Sequence, residues 1–145
     1  MNYAAKTDEF GAIVYNIKTQ DVRFTVPVTN ANCLGLSSSG SVLAIATHED
    51  DYYTLVTAYD SKLAVRSRLH TPFPVTAIAV NNSVSAIALV VQTNELPYDM
   101  VLIYNTKRDE MVSVFHGYGA AVSRLRFVTN NSLMINVGVV VLDLD

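Results

Sequence analysis

The chain has 145 residues, half of them hydrophobic and only 16% charged, with a formal net charge of −3. That length suits one domain with a sizeable core, and the composition is far from that of a disordered segment. No basic cluster exceeds the pair Lys107–Arg108, so the concentrated positive footprint that nucleic-acid binding needs is missing. The longest apolar runs, 86–91 and 137–142, fall well short of the roughly 20 residues of a membrane-spanning helix. The first ten residues are polar and lack the apolar core of a signal peptide. These features predict a cytoplasmic chain that contacts neither membrane nor nucleic acid. The one cysteine, Cys33, excludes an intrachain disulfide and reads as a small core residue.

Alternation rather than helical spacing runs through the chain, and Val, Ile, Tyr and Thr recur in it. Residues 3–5 read as the end of a strand before the acidic turn at 7–9. Gly11–Ile17 is the next strand, and Val22–Val26 follows a polar turn, with Pro27 placing it at a sheet edge. The second unit has strands at Asn32–Leu36, Val42–Thr47, Tyr53–Tyr59 and Leu63–Leu69. Arg66 and Arg68 alternate with apolar residues there and are expected on the solvent side. The third unit repeats that order at Val75–Val80, Val84–Gln92, Met100–Tyr104 and Met111–Phe115. The last has Val122–Val128, Leu133–Asn136 and Val139–Leu144, with Arg124 and Arg126 again outward. The total is fourteen strands in groups of three, four, four and three.

Two features recur in phase with these groups. Each third strand closes on an aromatic or apolar residue followed by Asn or Asp: Tyr15–Asn16, Tyr59–Asp60, Tyr104–Asn105 and Leu142–Asp143, in steps of 44, 45 and 38 residues. The turns between first and second strands share a small polar character: Ser39–Gly40–Ser41, Asn81–Asn82–Ser83 and Asn130–Asn131–Ser132. Self-similarity at this period is the mark of a repeat architecture. The predicted fold is all-β, and the resemblance to the WD-repeat family set out below implies a partial β-propeller of about three and a half four-stranded antiparallel blades. Their boundaries are 1–29 (incomplete), 30–70, 71–116 and 117–145 (incomplete). Tyr104 is expected to be a core aromatic.

The period and the closing pairs resemble the WD-repeat family, whose blades run about 40–45 residues. The four pairs stand where that family has its Trp-Asp dipeptide. His70 and His116–Gly117, five and six residues before Val75 and Val122, match its Gly-His position loosely. There is no tryptophan, so the repeats are degenerate. Within the family, Gly11–Phe24, Leu34 and the run 39–46 ending Leu-Ala-Ile-Ala are similar to the opening blades of the cilia- and flagella-associated WD-repeat proteins. That group is related to the echinoderm microtubule-associated protein-like family. The segment 135–138, followed at once by a short apolar strand, is similar to the same group. The resemblance implies a non-catalytic scaffold for protein–protein interaction, with tubulin or other axonemal proteins among its partners and a cilium or axoneme as its setting. WD-repeat subunits of trafficking or ribosome-assembly complexes share the same repeat pattern.

Repeat units bury their apolar faces only against neighbours. Fourteen strands are therefore expected to be part of a larger ring, completed by the same gene product, another chain or a second copy. Two copies would supply enough strands for seven four-stranded blades. The candidate binding carriers are the loops His48–Tyr53 and Thr93–Asp99, where Tyr52, Tyr53 and Tyr98 read either as interface anchors or as strand-end packing. His48, Glu49, Asp50 and Asp51 read as a solvated loop rather than a metal site, since oxygen-rich calcium loops alternate their ligands. His70 and His116 have no nucleophile motif beside them. Gly117–Tyr118–Gly119 lacks the strand-then-helix setting of a phosphate loop. An enzymatic propeller would need polar residues converging at the inner-strand ends, which are mostly aliphatic. No catalytic residue, cofactor or metal ligand is expected.

Overall fold

A computed structural model describes residues 2–50, 53–92, 99–116, 121–136 and 138–145, with side chains at all of these except 50, 53 and 113–116. It contains fourteen strands in four antiparallel sheets of three, four, four and three. Sheet 1 is β1 (Tyr3–Asp8), β2 (Gly11–Asn16) and β3 (Val22–Val26). Sheet 2 is β4 (Ala31–Leu36), β5 (Val42–Asp50), β6 (Tyr53–Asp60) and β7 (Val65–Thr71). Sheet 3 is β8 (Val75–Val80), β9 (Ala86–Val91), β10 (Met100–Asn105) and β11 (Glu110–His116). Sheet 4 is β12 (Leu125–Thr129), β13 (Ser132–Ile135) and β14 (Gly138–Val141). Within every sheet the strands lie side by side in chain order. The architecture is all-β and partial-propeller, as the alternation and the repeat predicted.

Three apolar cores hold the four sheets together, one at each interface. Strand alternation gives each sheet two faces, and the sequence loads them unequally. In β9, Ala86 and Ala88 point one way and Ile87 and Leu89 the other, and all four are buried. The large face of each sheet packs on the small face of the one before it. Leu43 and Ile45 of sheet 2 meet Ala12 and Val14 of sheet 1. Ile87, Leu89 and Leu102 of sheet 3 meet Ala44, Ala46 and Ala58 of sheet 2. Phe127, Leu133 and Ile135 of sheet 4 meet Ala79, Ala86 and Ala88 of sheet 3. Large against small lets neighbouring sheets interdigitate at native packing density.

The sheets approach most closely at their first strands. A Cβ added to Gly35 of β4 would stand 2.5 Å from the carbonyl oxygen of Ile78 in β8. Only a residue without a side chain permits that backbone contact.

Two expectations change. The three-stranded units at either end form sheets of their own, each stacked face to face on its neighbour. Two copies would bring eight sheets, so the count of seven four-stranded blades from two copies does not stand. Tyr104 packs against the sheet 2–sheet 3 core but is half-buried. Its hydroxyl reaches out of the core to donate to Asp109 Oδ1 at 2.5 Å.

Candidate functional site

The Asn or Asp after each closing residue folds the turn that follows. Asn16 Oδ1 accepts the N–H groups of Lys18 and Thr19 at 2.9 and 3.0 Å. Asp60 Oδ1 accepts those of Lys62 and Ala64 at 2.9 and 3.0 Å. Asn105 Oδ1 accepts those of Lys107 and Arg108, both at 3.1 Å. A short side chain whose acceptor oxygen can reach the backbone N–H groups two to four residues on is what such a turn requires, so Asn and Asp interchange there. Each of these turns also holds one non-glycine residue in the left-handed region: Gln20 (φ 64°), Leu63 (φ 66°) and Asp109 (φ 52°). The amide of Asn105 has a second task, donating from Nδ2 to the carbonyl of Leu144 at 3.2 Å and so joining sheet 3 to the segment after β14.

The turns between first and second strands form a ladder across the sheets. Ser39 donates its N–H and its hydroxyl to Asn82 Oδ1 at 3.0 and 2.8 Å. One sheet further on, Ser83 N–H donates to Asn130 Oδ1 at 3.3 Å, and Asn81 Nδ2 donates to the Asn130 carbonyl at 2.7 Å. Ser37 and Asn81 are buried, and each accepts a backbone N–H across its own turn, from Val42 and Ala86 respectively. These bonds put Ser37 opposite Asn81 in the repeat, and Gly40 (φ 73°) opposite Val84 (φ 57°). The sequence match of 39–41 with 81–83 is thus two residues out of step. The left-handed position is hidden in the third unit because a buried valine occupies it.

The expected binding loops fare differently. His48 and Glu49 are not in a loop: β5 runs on to Asp50, and His48 pairs with Thr54 of β6. His48 and Glu49 both stand exposed on that strand. No group of three metal-ligating residues occurs among the described residues. Asp51 and Tyr52 lie outside the described residues, as do 93–98 with Tyr98 and the glycine pair Gly117 and Gly119; the side chains of Tyr53 and His116 do too. Asp99 is a structural anchor, accepting the N–H of Val122 on Oδ2 at 3.0 Å and the Gln92 amide on Oδ1 at 3.3 Å. His70 is exposed on β7 opposite Leu55. Arg66, Arg68, Arg124 and Arg126 are exposed, as their spacing predicted. Cys33 is half-buried against the sheet 2–sheet 3 core, and burial pushes its thiol up to about 11, the opposite of an activated nucleophile.

Sequence reading missed a cleft of about 230 Å³ between sheets 3 and 4. Ile103 and Val112 line it from sheet 3, Val140 from β14, and Leu142 and Leu144 from the segment after β14, together with Arg108, Glu110 and Asp143. One wall is β14, which pairs with β13 on one side and with no other strand among the described residues. Val112 is 54% exposed, Val139 55% and Val141 75%. Phe10, at the tip of the β1–β2 turn held by Asp8, is 71% exposed. The signal in the sequence was the alternating run after each third strand, whose role becomes visible only once the strands are paired.

No protein-family model matches the chain, and no curated protein sequence matches it. Solved structures do. The crystal structure of uncharacterized protein lmo1340 from Listeria monocytogenes EGD-e superposes with a TM-score of 0.58 at 12% identity, over 90% of this chain and 40% of that one. Sqt1 of Saccharomyces cerevisiae, a propeller protein, superposes with a TM-score of 0.54 at 15% identity, over 92% of this chain and 37% of its own. The Dos1 propeller matches more loosely, with a TM-score of 0.43 at 9% identity, over 90% and 45%. This chain spans about two fifths of the length of the structures it matches. At such identities the likeness concerns architecture alone: the chain is a partial β-propeller.

Proposed function

We propose that this chain is a non-catalytic propeller scaffold that binds protein partners and works within a larger assembly. The observation that carries this reading is where the polar and apolar groups go. The Asn and Asp residues of the repeat hold turns and join sheets, while large apolar side chains stand exposed on rigid strands and at a tight turn. Exposed apolar groups on a rigid frame suit recognition of another protein.

The setting we propose is cytoplasmic, in a ciliary or axonemal microtubule assembly with tubulin or axonemal proteins as partners. The support is the resemblance of 11–24 and 39–46 quoted above. Co-sedimentation with polymerised microtubules tests it. Enrichment in the pellet, lost in Phe10→Asp, is expected; a supernatant unchanged from a tubulin-free control would defeat the microtubule setting.

A further inference from the structure

Two Asn-X-Ser sequences occur in the chain, Asn81–Asn82–Ser83 and Asn130–Asn131–Ser132, and both lie at turns between first and second strands. Each is an acceptor sequence for an N-linked oligosaccharide, a bulky polar group that belongs on a surface. The fold treats the two asparagines differently. Asn130 is exposed. Asn81 is 1% exposed, and its side-chain amide is fully used. Nδ2 donates one hydrogen to Ser85 Oγ and the other to the Asn130 carbonyl, both at 2.7 Å, while Oδ1 accepts the Ala86 N–H at 3.2 Å. A backbone carbonyl only accepts and a backbone N–H only donates, so the amide cannot turn over.

We propose that Asn81 is a glycan acceptor that the fold cannot carry, which confines this chain to compartments where Asn-X-Ser sequences are not glycosylated. Transfer joins Nδ2 to the anomeric carbon of a lipid-diphosphate-linked oligosaccharide. The bond from that carbon to the diphosphate oxygen breaks, the lipid diphosphate leaves, and the amide gives up one proton. The enzyme acts on the chain as it enters the lumen, before Asn81 is buried. A sugar carbon then replaces one Nδ2 hydrogen. Whichever hydrogen is replaced, the carbon must stand where Ser85 Oγ or the Asn130 carbonyl stands now. The remaining sugars have no way out of a site this closed, so sheet 3 cannot seat its turn on sheet 4. The turn has no slack to give, because Val84 is already left-handed at φ 57° and buried. A glycan on the exposed Asn130 meets none of these obstacles. The inference depends on no particular partner, so it and the microtubule setting fail separately.

The test sends the 145-residue chain into the endoplasmic reticulum of cultured cells behind a cleavable signal peptide, beside the same chain made in the cytosol. Mass spectrometry reads glycan occupancy, and resistance to protease reads folding. Lumenal chains glycosylated at Asn81 are expected, with folded material at least about tenfold below the cytosolic chain, since one unpaired buried group alone shifts a folding equilibrium by about that factor. Ser83→Ala abolishes the acceptor sequence through an exposed residue and should restore the lumenal fold. Ser132→Ala removes only the Asn130 glycan and should not. Made in the cytosol, Ser83→Ala should fold like the parent. Blocking oligosaccharide assembly in the same cells should restore the parent with no substitution at all. Folded lumenal protein with a glycan on Asn81 overturns the proposal, as does folded lumenal protein with Asn81 bare in cells that assemble oligosaccharide normally. A lumenal chain that stays unfolded when oligosaccharide assembly is blocked also overturns it, because the obstacle is then not the glycan.

Discussion

Ser39 and Asn82 stand 43 residues apart in the chain and meet between sheets, where Asn82 Oδ1 accepts both the backbone N–H and the hydroxyl of Ser39. In the next rung Asn130 Oδ1 accepts the backbone N–H of Ser83, whose hydroxyl pairs with that of Ser85 instead. Asn82→Ala leaves two donors without their acceptor at an exposed site, and a loss of about 1 kcal/mol is expected. Asn82→Asp keeps the acceptor and should lose less. Urea denaturation of the two variants checks this; equal losses would mean the oxygen of Asn82 is not what holds the turns together.

Gly35→Ala tests the closest approach in the stack. Its new methyl group meets the Ile78 carbonyl at 2.5 Å, and both partners are backbone. Relief requires the first strands of sheets 2 and 3 to separate, so a cost of about 1–3 kcal/mol is expected. A thermal midpoint equal to that of the parent chain would show that the strands have room to spare.

Leu63 sits at φ 66° in a β6–β7 turn and is 44% exposed, so its side chain contributes little to the core while its backbone is strained. Asparagine tolerates the left-handed region far better than a branched aliphatic residue. Leu63→Asn is expected to raise stability by about 1 kcal/mol. The same change at Val84 should not: Val84 is equally left-handed, but it is buried in the sheet 2–sheet 3 core and would leave a cavity.

Alkaline pH should weaken the fold in two overlapping steps. The hydrogen bond to Asp109, helped by burial and by the Asp109 charge, pushes the Tyr104 hydroxyl up to about 12. An unfolded tyrosine titrates near about 10. Between those values the folded chain holds a proton that the unfolded chain has released, so stability falls as pH rises through that window. Below it the contribution is fully present. Burial of Cys33 adds a fall from its ordinary value of 9.0 to about 11. Urea midpoints at pH 9, 10.5 and 12 should drop less for Tyr104→Phe than for the parent above pH 10. Identical profiles would mean that Asp109 does not hold the phenol.

Much of the fold was legible in the sequence because period-2 alternation and the 44-residue recurrence are both local signals. Fourteen strands were predicted and fourteen are present among the described residues. Tyr59–Asp60 and Tyr104–Asn105 located the third strands, but nothing in a dipeptide says that its second residue caps a turn. The loop at 48–51 was misplaced since His48, Glu49 and Asp50 read as solvated, yet a long antiparallel pair carries polar residues to its tip. The Gly40–Val84 equivalence was invisible because sequence punctuation relies on glycine, and here valine takes the strained position. The cleft beside β14 depends on which strand lies next to which, information that no window of residues contains.

The unequal loading of the two faces gives the stack a direction. A sheet inserted backwards would set Leu43 and Ile45 against Ile87 and Leu89 on one side and leave alanine facing alanine-sized gaps on the other. Crowding and voids both disfavour that arrangement. The way each repeat must face in the stack is therefore written into side-chain volume, and a sheet that docks the wrong way round is rejected by its neighbours on size alone.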